Sequence, residues 1–149
     1  MSVREDPSYI RDYPYVQPIT TRWHDNDAYG HVNNVVYYAF FDTAVNTWLI
    51  ENAGLDVANS DVIGLVVETR CNYFKSVSFP EKVLVGVRIA KLGSSSVRYE
   101  VGIFNDKNSS ACAQGHFIHV YVDRKSNRPT PIPALMRSAM QKLLVSDGK

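Results

Sequence analysis

Between Arg22 and Trp48 the chain reads RWHDNDAYGHVNNVVYYAFFDTAVNTW, with carboxylates at Asp25 and Asp27 and imidazoles at His24 and His31 in one short polar loop. Gly30 lets the backbone turn closely there, and either Asn33 or Asn34 can cap the helix that follows. A helix N-terminus carries unpaired amides and a positive dipole end, so the amides around Asn33, Asn34 and Val35 suit a developing oxyanion. A carboxylate or imidazole beside them supplies attack or proton transfer. By residue type alone, an aspartate in such a loop makes an Asx turn, and that is the plain reading of Asp27. His31 divides between donating to a substrate and a structural hydrogen bond. Asp25 is expected to pair with Arg22. Asp42, about two turns into the helix, needs a partner, for which Thr43, Asn46 and the loop histidines are candidates.

Other chemistries find no pattern. There is no GxSxG elbow and no glycine-rich phosphate loop. Cys71 and Cys112 lack a CxxC pairing and read as reduced thiols. His116 and His119, three apart on a strand, point to opposite faces. No cluster has metal-ligand spacing, so neither metal nor cofactor is expected. Sixteen basic residues oppose fifteen acidic ones, with no basic run, which argues against nucleic acid as a partner. No apolar segment approaches a membrane span, and the N-terminus has acidic residues and prolines in place of a signal-peptide core. A cytoplasmic protein is expected.

The elements that must hold the loop follow from periodicity. Residues 1–14 read as a polar arm, and 15–146 as a single domain. A first strand spans Tyr15 to Trp23, with Pro18 suiting an edge. A helix from Val35 to Ala53 is apolar on most of its surface, through Tyr37, Phe40, Phe41, Ala44, Val45, Trp48 and Leu49, and so calls for protein nearly all round it. Gly54 ends it. Four β-rich runs follow, Val62 to Val77, Lys82 to Leu92, Ser96 to Asn105 and Ala111 to Asp123, joined by turns short enough for antiparallel neighbours. Glu68 and Arg70 share a strand face and are expected to pair. The tail forms a short amphipathic helix with Leu135, Met136, Met140, Leu143 and Leu144 at helical spacing. Together these make an α+β fold: an antiparallel five-stranded sheet wrapped around a long central helix, with a short C-terminal helix.

RWHDNDAYGHVNNVVYYAFF, in the order strand, loop, central helix, resembles the 4-hydroxybenzoyl-CoA thioesterase family of hotdog-fold proteins, in its acyl-CoA thioesterase branch. AQGHFIHVYVDRKSNRPTPIP resembles that branch's last strand and exit. The resemblance implies an enzyme that hydrolyses acyl-CoA to free acid and CoA, working as a homodimer or homotetramer with sites at the subunit interface. It implies Asp27 as nucleophile or general base and the backbone amide near Asn34 as oxyanion donor, and it matches Tyr37 to an aromatic on the first helical turn. By residue type and place in the loop, His31 is a further catalytic candidate, and Gly30 and Asn33 join Tyr37 as substrate-binding candidates. Lys75, Arg88, Lys91, Arg98 and Arg124 are the cations within which a contact for the CoA phosphates is sought. Two other readings share the fold: an acyl-thioester dehydratase or hydratase, and a non-catalytic acyl-CoA-binding protein.

Overall fold

The structure, a computed structural model, describes residues 6–145; residues 1–5 of the expected arm and residue 146 of the expected domain lie outside them. The chain runs β1 (Tyr15–Thr20), α1 (Asn34–Asn52), β2 (Val62–Tyr73), β3 (Lys82–Leu92), β4 (Ser96–Asn105), β5 (Ala113–Asp123) and α2 (Ala134–Met140). The strands form one antiparallel sheet in the order β1-β3-β4-β5-β2. Strand β1, with Pro18 opposite Leu84, takes one edge, as a residue lacking an amide donor requires. Strand β2 takes the other.

Bounds differ where something competes with the ladder. Strand β1 stops at Thr20 because Trp23–Asp25 closes a 3₁₀ turn. Strand β2 ends at Tyr73 rather than Val77 because the Phe74 and Lys75 amides both donate to the Cys112 carbonyl, at 2.8 and 3.0 Å, which turns the chain out of register. The same junction delays β5 to Ala113.

Alternation decides the core. Val83, Val85, Val87 and Ile89 face inward with Val97, Tyr99, Val101 and Ile103, and α1 lays Tyr37, Phe40, Phe41, Ala44, Val45, Trp48 and Leu49 on them. This is the hotdog arrangement, a sheet curled over one long helix. The helix is less enclosed than its composition suggests, because only the i, i+3, i+4 stripe meets the sheet. Its opposite face, with Ala39, Asp42 and Thr43, is open, and Val35 and Ile50 are 70% and 49% exposed. At the C-terminus Met136, Met140 and Leu143 are buried, whereas Leu135 and Leu144 are not, since α2 lasts only two turns. The segment after α2 then bonds to β3, Ile89 donating to the Leu143 carbonyl at 2.8 Å.

On the outer face of the sheet, the described part of the arm packs Tyr13 against Phe104 and Ala111. Gly86 makes room for it, since a Cβ there would lie 2.6 Å from Tyr13 Cγ. The expected Glu68–Arg70 pair is replaced. Glu68 meets the His116 ring diagonally across the β2–β5 ladder, Oε2 to Nε2 2.6 Å, the residue directly opposite it being the apolar Ile118. Among the described residues no helix is long and apolar enough to cross a membrane.

Candidate functional site

The loop from Thr21 to Asn33 is held at both ends. Asp25, buried, accepts from the Arg22 amide at 2.7 Å and from its guanidinium at 2.8 Å, as expected. The Asp25 carbonyl accepts from the Asn33 amide at 2.9 Å, and Val32 donates to the Val77 carbonyl at 2.7 Å. Asn26 bridges to Val32 and accepts from the Phe79 amide at 3.0 Å. Inside this frame Asp27 to His31 form a tight turn. The Asp27 amide donates to the His31 carbonyl at 2.8 Å and the Gly30 amide to the Asp27 carbonyl at 3.1 Å. Gly30 has φ +79°, and a Cβ there would meet nothing within 4 Å. Its glycine therefore serves the left-handed backbone rather than a close approach.

Asp27 Oδ1 accepts from the Tyr29 amide at 2.8 Å, which is the Asx turn expected of the residue type. Its Oδ2 has no partner among the described residues and is left for other work. Asn33 resolves the capping alternative: its side-chain oxygen accepts from the Val35 amide at 3.0 Å, and its carbonyl from Val36 at 2.9 Å. Asn34 is thus the first helical residue, and its own amide is without an acceptor among the described residues.

Asp27, His31, Asn34 and Tyr37 line one cavity of about 370 Å³ with Val32, Tyr73, Phe74, Lys75 and Ser76. Gly30 and Asn33 shape the backbone around it without lining it. Buried Tyr37 meets the Tyr73 ring edge-on, centroids 5.0 Å apart, and burial pushes its phenol up to about 12. The Tyr73 hydroxyl donates to the Asn34 carbonyl at 3.3 Å, tying the end of β2 to the start of α1. Lys75 donates to Ser110 Oγ at 2.9 Å.

Tyr73, Phe74 and Ser76 are residues that sequence reasoning missed. The aromatic pair before a lysine, NYFKS, at the end of a strand was the available signal. Other expected members are elsewhere. Asp42 lies on the open face of α1, where partial burial raises its carboxyl, and it meets Asn46 only through its own carbonyl, at 2.9 Å. The loop histidines do not reach it, because about 12 Å of helix rise separate it from Asn34. Arg88 and Arg98 both bond Glu100 on the outer face, and Arg124 holds the Ser60 and Val57 carbonyls. Lys75 is the expected cation that lines the cavity. Among the described residues no group of three His, Cys, Asp or Glu is placed to hold a metal.

An unpaired carboxylate oxygen, an imidazole and an unsatisfied helix-terminal amide around one cavity equip it for attack on a carbonyl whose oxygen gains charge. Known proteins bear on this. A family model described as thioesterase-like superfamily matches residues 21–140. The solved PA5185 protein of Pseudomonas aeruginosa is 54% identical, with a TM-score of 0.91 over 94% of this chain and 97% of that one. A Thermus thermophilus thioesterase solved with coenzyme A and zinc is 26% identical, with a TM-score of 0.73 over 87% of this chain and 98% of its own. A Synechocystis 1,4-dihydroxy-2-naphthoyl-CoA thioesterase shares the fold at 17% identity, with a TM-score of 0.78 over 87% of this chain and 96% of that one.

Proposed function

The chain belongs to the thioesterase-like superfamily, and from that membership we propose that it hydrolyses the thioester of an acyl-CoA to the free acid and CoA. The observation that carries this reading is the meeting of Asp27, His31 and the unsatisfied Asn34 amide in one cavity. The substrate carbonyl oxygen lies against the Asn34 amide, where the helix dipole favours its developing charge. Asp27 then acts through Oδ2 in one of two ways. It attacks the carbonyl carbon, expelling CoA thiolate and leaving a mixed anhydride that water cleaves, or it takes a proton from the water that attacks. His31 donates to the carbonyl or orients the carboxylate. Gly30 and Asn33 fix the loop and cap that aim these groups, and Tyr37 walls the thioester. Lys75 serves the CoA phosphates, a role consistent with the coenzyme A held by the Thermus relative. No metal or organic cofactor enters.

The working unit in this reading is a homodimer, or a homotetramer built from it. Among the described residues strand β2 is an unpaired edge bearing Leu65, Val66 and Val67, all exposed. Such an edge pairs with another strand unless blocked, and a second copy of β2 supplies one. The reaction is assigned to the cytoplasm, a placement supported by the unpaired thiols of Cys71 and Cys112.

Thiol release is the decisive measurement, read with a thiol reagent over short, medium, long and aryl acyl-CoAs. Asp27→Asn is expected to lower kcat by about a hundredfold or more while the circular dichroism spectrum is unchanged. A wild-type rate from that variant overturns the assignment of Asp27. Turnover of the acyl group without thiol release makes the protein a hydratase, and tight binding without turnover makes it a carrier.

A further inference from the structure

A second cavity, of about 240 Å³, lies toward the other end of α1. Its walls are Leu49 of α1, Leu55 of the following loop, Ile63 and Gly64 of β2, and His119 and Tyr121 of β5. All but one of its polar groups are occupied elsewhere. The Tyr121 hydroxyl is bonded to that of Tyr99 at 2.9 Å, and the Arg124 guanidinium at the margin is held by two backbone carbonyls at 2.6 and 2.7 Å. Asn46 bonds back to its own helix. His119 is the exception. It is 3% exposed, and neither ring nitrogen has a hydrogen-bond partner among the described residues.

A buried polar atom without a partner is costly, and those that persist call for a reason. Here the surroundings keep the ring available. Gly64 stands where any side chain would close it off, since a Cβ would lie 3.0 Å from His119 Nδ1. Burial pushes the imidazole down to about 4, so it is neutral and offers one N–H and one lone pair. That pair complements a hydroxyl, which both donates and accepts, better than it does a carboxylate or an ammonium. The aliphatic walls suit the chain that carries it.

Within one chain this cavity is remote from Asp27, since Asn34 and Asn46 are separated by about 18 Å of helix rise. Across a two-fold it is near. Antiparallel pairing of β2 with a second β2 about the strand's midpoint, between Val67 and Glu68, sets Ile63 and Gly64 opposite the partner's Asn72 and the partner's Cys71, next to the Tyr73 that lines its catalytic cavity. We infer that this cavity receives the far end of the acyl chain whose thioester lies in the partner's catalytic cavity, and that His119 selects acyl groups carrying a distal hydroxyl. The inference rests on the thioesterase reading and on the β2–β2 dimer.

Two measurements test it. The first compares kcat/KM for matched pairs, hexanoyl- to decanoyl-CoA against their terminally hydroxylated counterparts. The wild type is expected to favour the hydroxylated member by about tenfold or more at one chain length, the size of one hydrogen bond. In His119→Phe, which keeps a flat ring and loses both nitrogens, the ratio falls to about one. Absence of a preference in the wild type, or its survival in His119→Phe, overturns the inference and leaves the thioesterase reading standing. The second needs no turnover and no His119 variant to fold. The full-length Asp27→Asn protein, labelled with nitrogen-15 histidine, is titrated with the same CoA pairs. The His119 ring signals move with the hydroxylated member and differ from those with its partner. Equal or absent shifts overturn the inference even if no thioester is ever cleaved, whereas failure of hydrolysis with the shift intact removes only the enzymatic reading.

Discussion

Two residues hold states that the rest of the fold must maintain. His119 is neutral because burial takes its imidazole from 6.5 to about 4. Above pH 6.5 the ring is neutral in folded and unfolded chains alike and adds no pH dependence. As pH falls below that value, the unfolded chain gains a proton that the folded chain refuses until about 4, so stability is lost across this window, by roughly 3 kcal/mol at its acid end. Urea denaturation of wild type and His119→Phe at neutral pH and near pH 4 measures it. The variant is expected to lose less on acidification, and equal losses exclude the ring as the cause. Gly30 holds a left-handed backbone with open space around it. Gly30→Ala therefore strains the loop by about 1 kcal/mol and lowers kcat, while Gly30→Asn, which tolerates that conformation, recovers part of the rate. Asp27, His31, Asn34 and Tyr37 were legible because they adjoin one helix start in sequence. Tyr73, Phe74 and Ser76 were not, because they come from the far end of a strand and arrive through pairing. The solitude of His119 was equally hidden, since spacing shows which face a side chain takes and not whether a partner waits there.

At the scale of elements, the cap and the edge matter most. Asn33 satisfies the Val35 amide and leaves that of Asn34 open, so the cap determines which donor remains for a substrate. Asn33→Ala is expected to cost about 1 kcal/mol in stability and more in kcat than in KM, with Asn33→Asp retaining the cap. Thermal denaturation and steady-state kinetics on the two variants separate these effects. The bounds of β3 and β4 were legible because their turns are short, even though a bulge between Ile89 and Lys91 interrupts the register between them. Those of β1, β2 and β5 were overread at their ends, where a 3₁₀ turn or a shared carbonyl competes with the ladder. Helix α1 was overread for burial, because a sequence reports which residues are apolar and not which chain covers them.

For the whole molecule, Leu65, Val66 and Val67 on the edge strand β2, and Val35 and Ile50 on α1, are apolar side chains left exposed among the described residues. Val66→Lys, placing a charge on that edge, is expected to yield monomers by sedimentation and to abolish thioester hydrolysis, with the fold retained. A fully active monomer rules out a shared site. The overall fold was the most legible property, since one long helix among five strands leaves few ways to cover both. A second copy is suggested by the sequence only through the resemblance, and the exposed Leu65, Val66 and Val67 are the structural feature that supports proposing one.

The order of elements has a further consequence at the ribosome. Helix α1 is complete at Asn52, but the last strand that covers it ends at Asp123, about seventy residues later. At translation rates of roughly 5–20 residues per second, an aromatic-rich helix waits for seconds with its sheet unmade. Newly made chains are therefore expected to leave that helix surface uncovered through the interval, so that the yield of active protein depends on synthesis rate as well as on the stability of the finished fold.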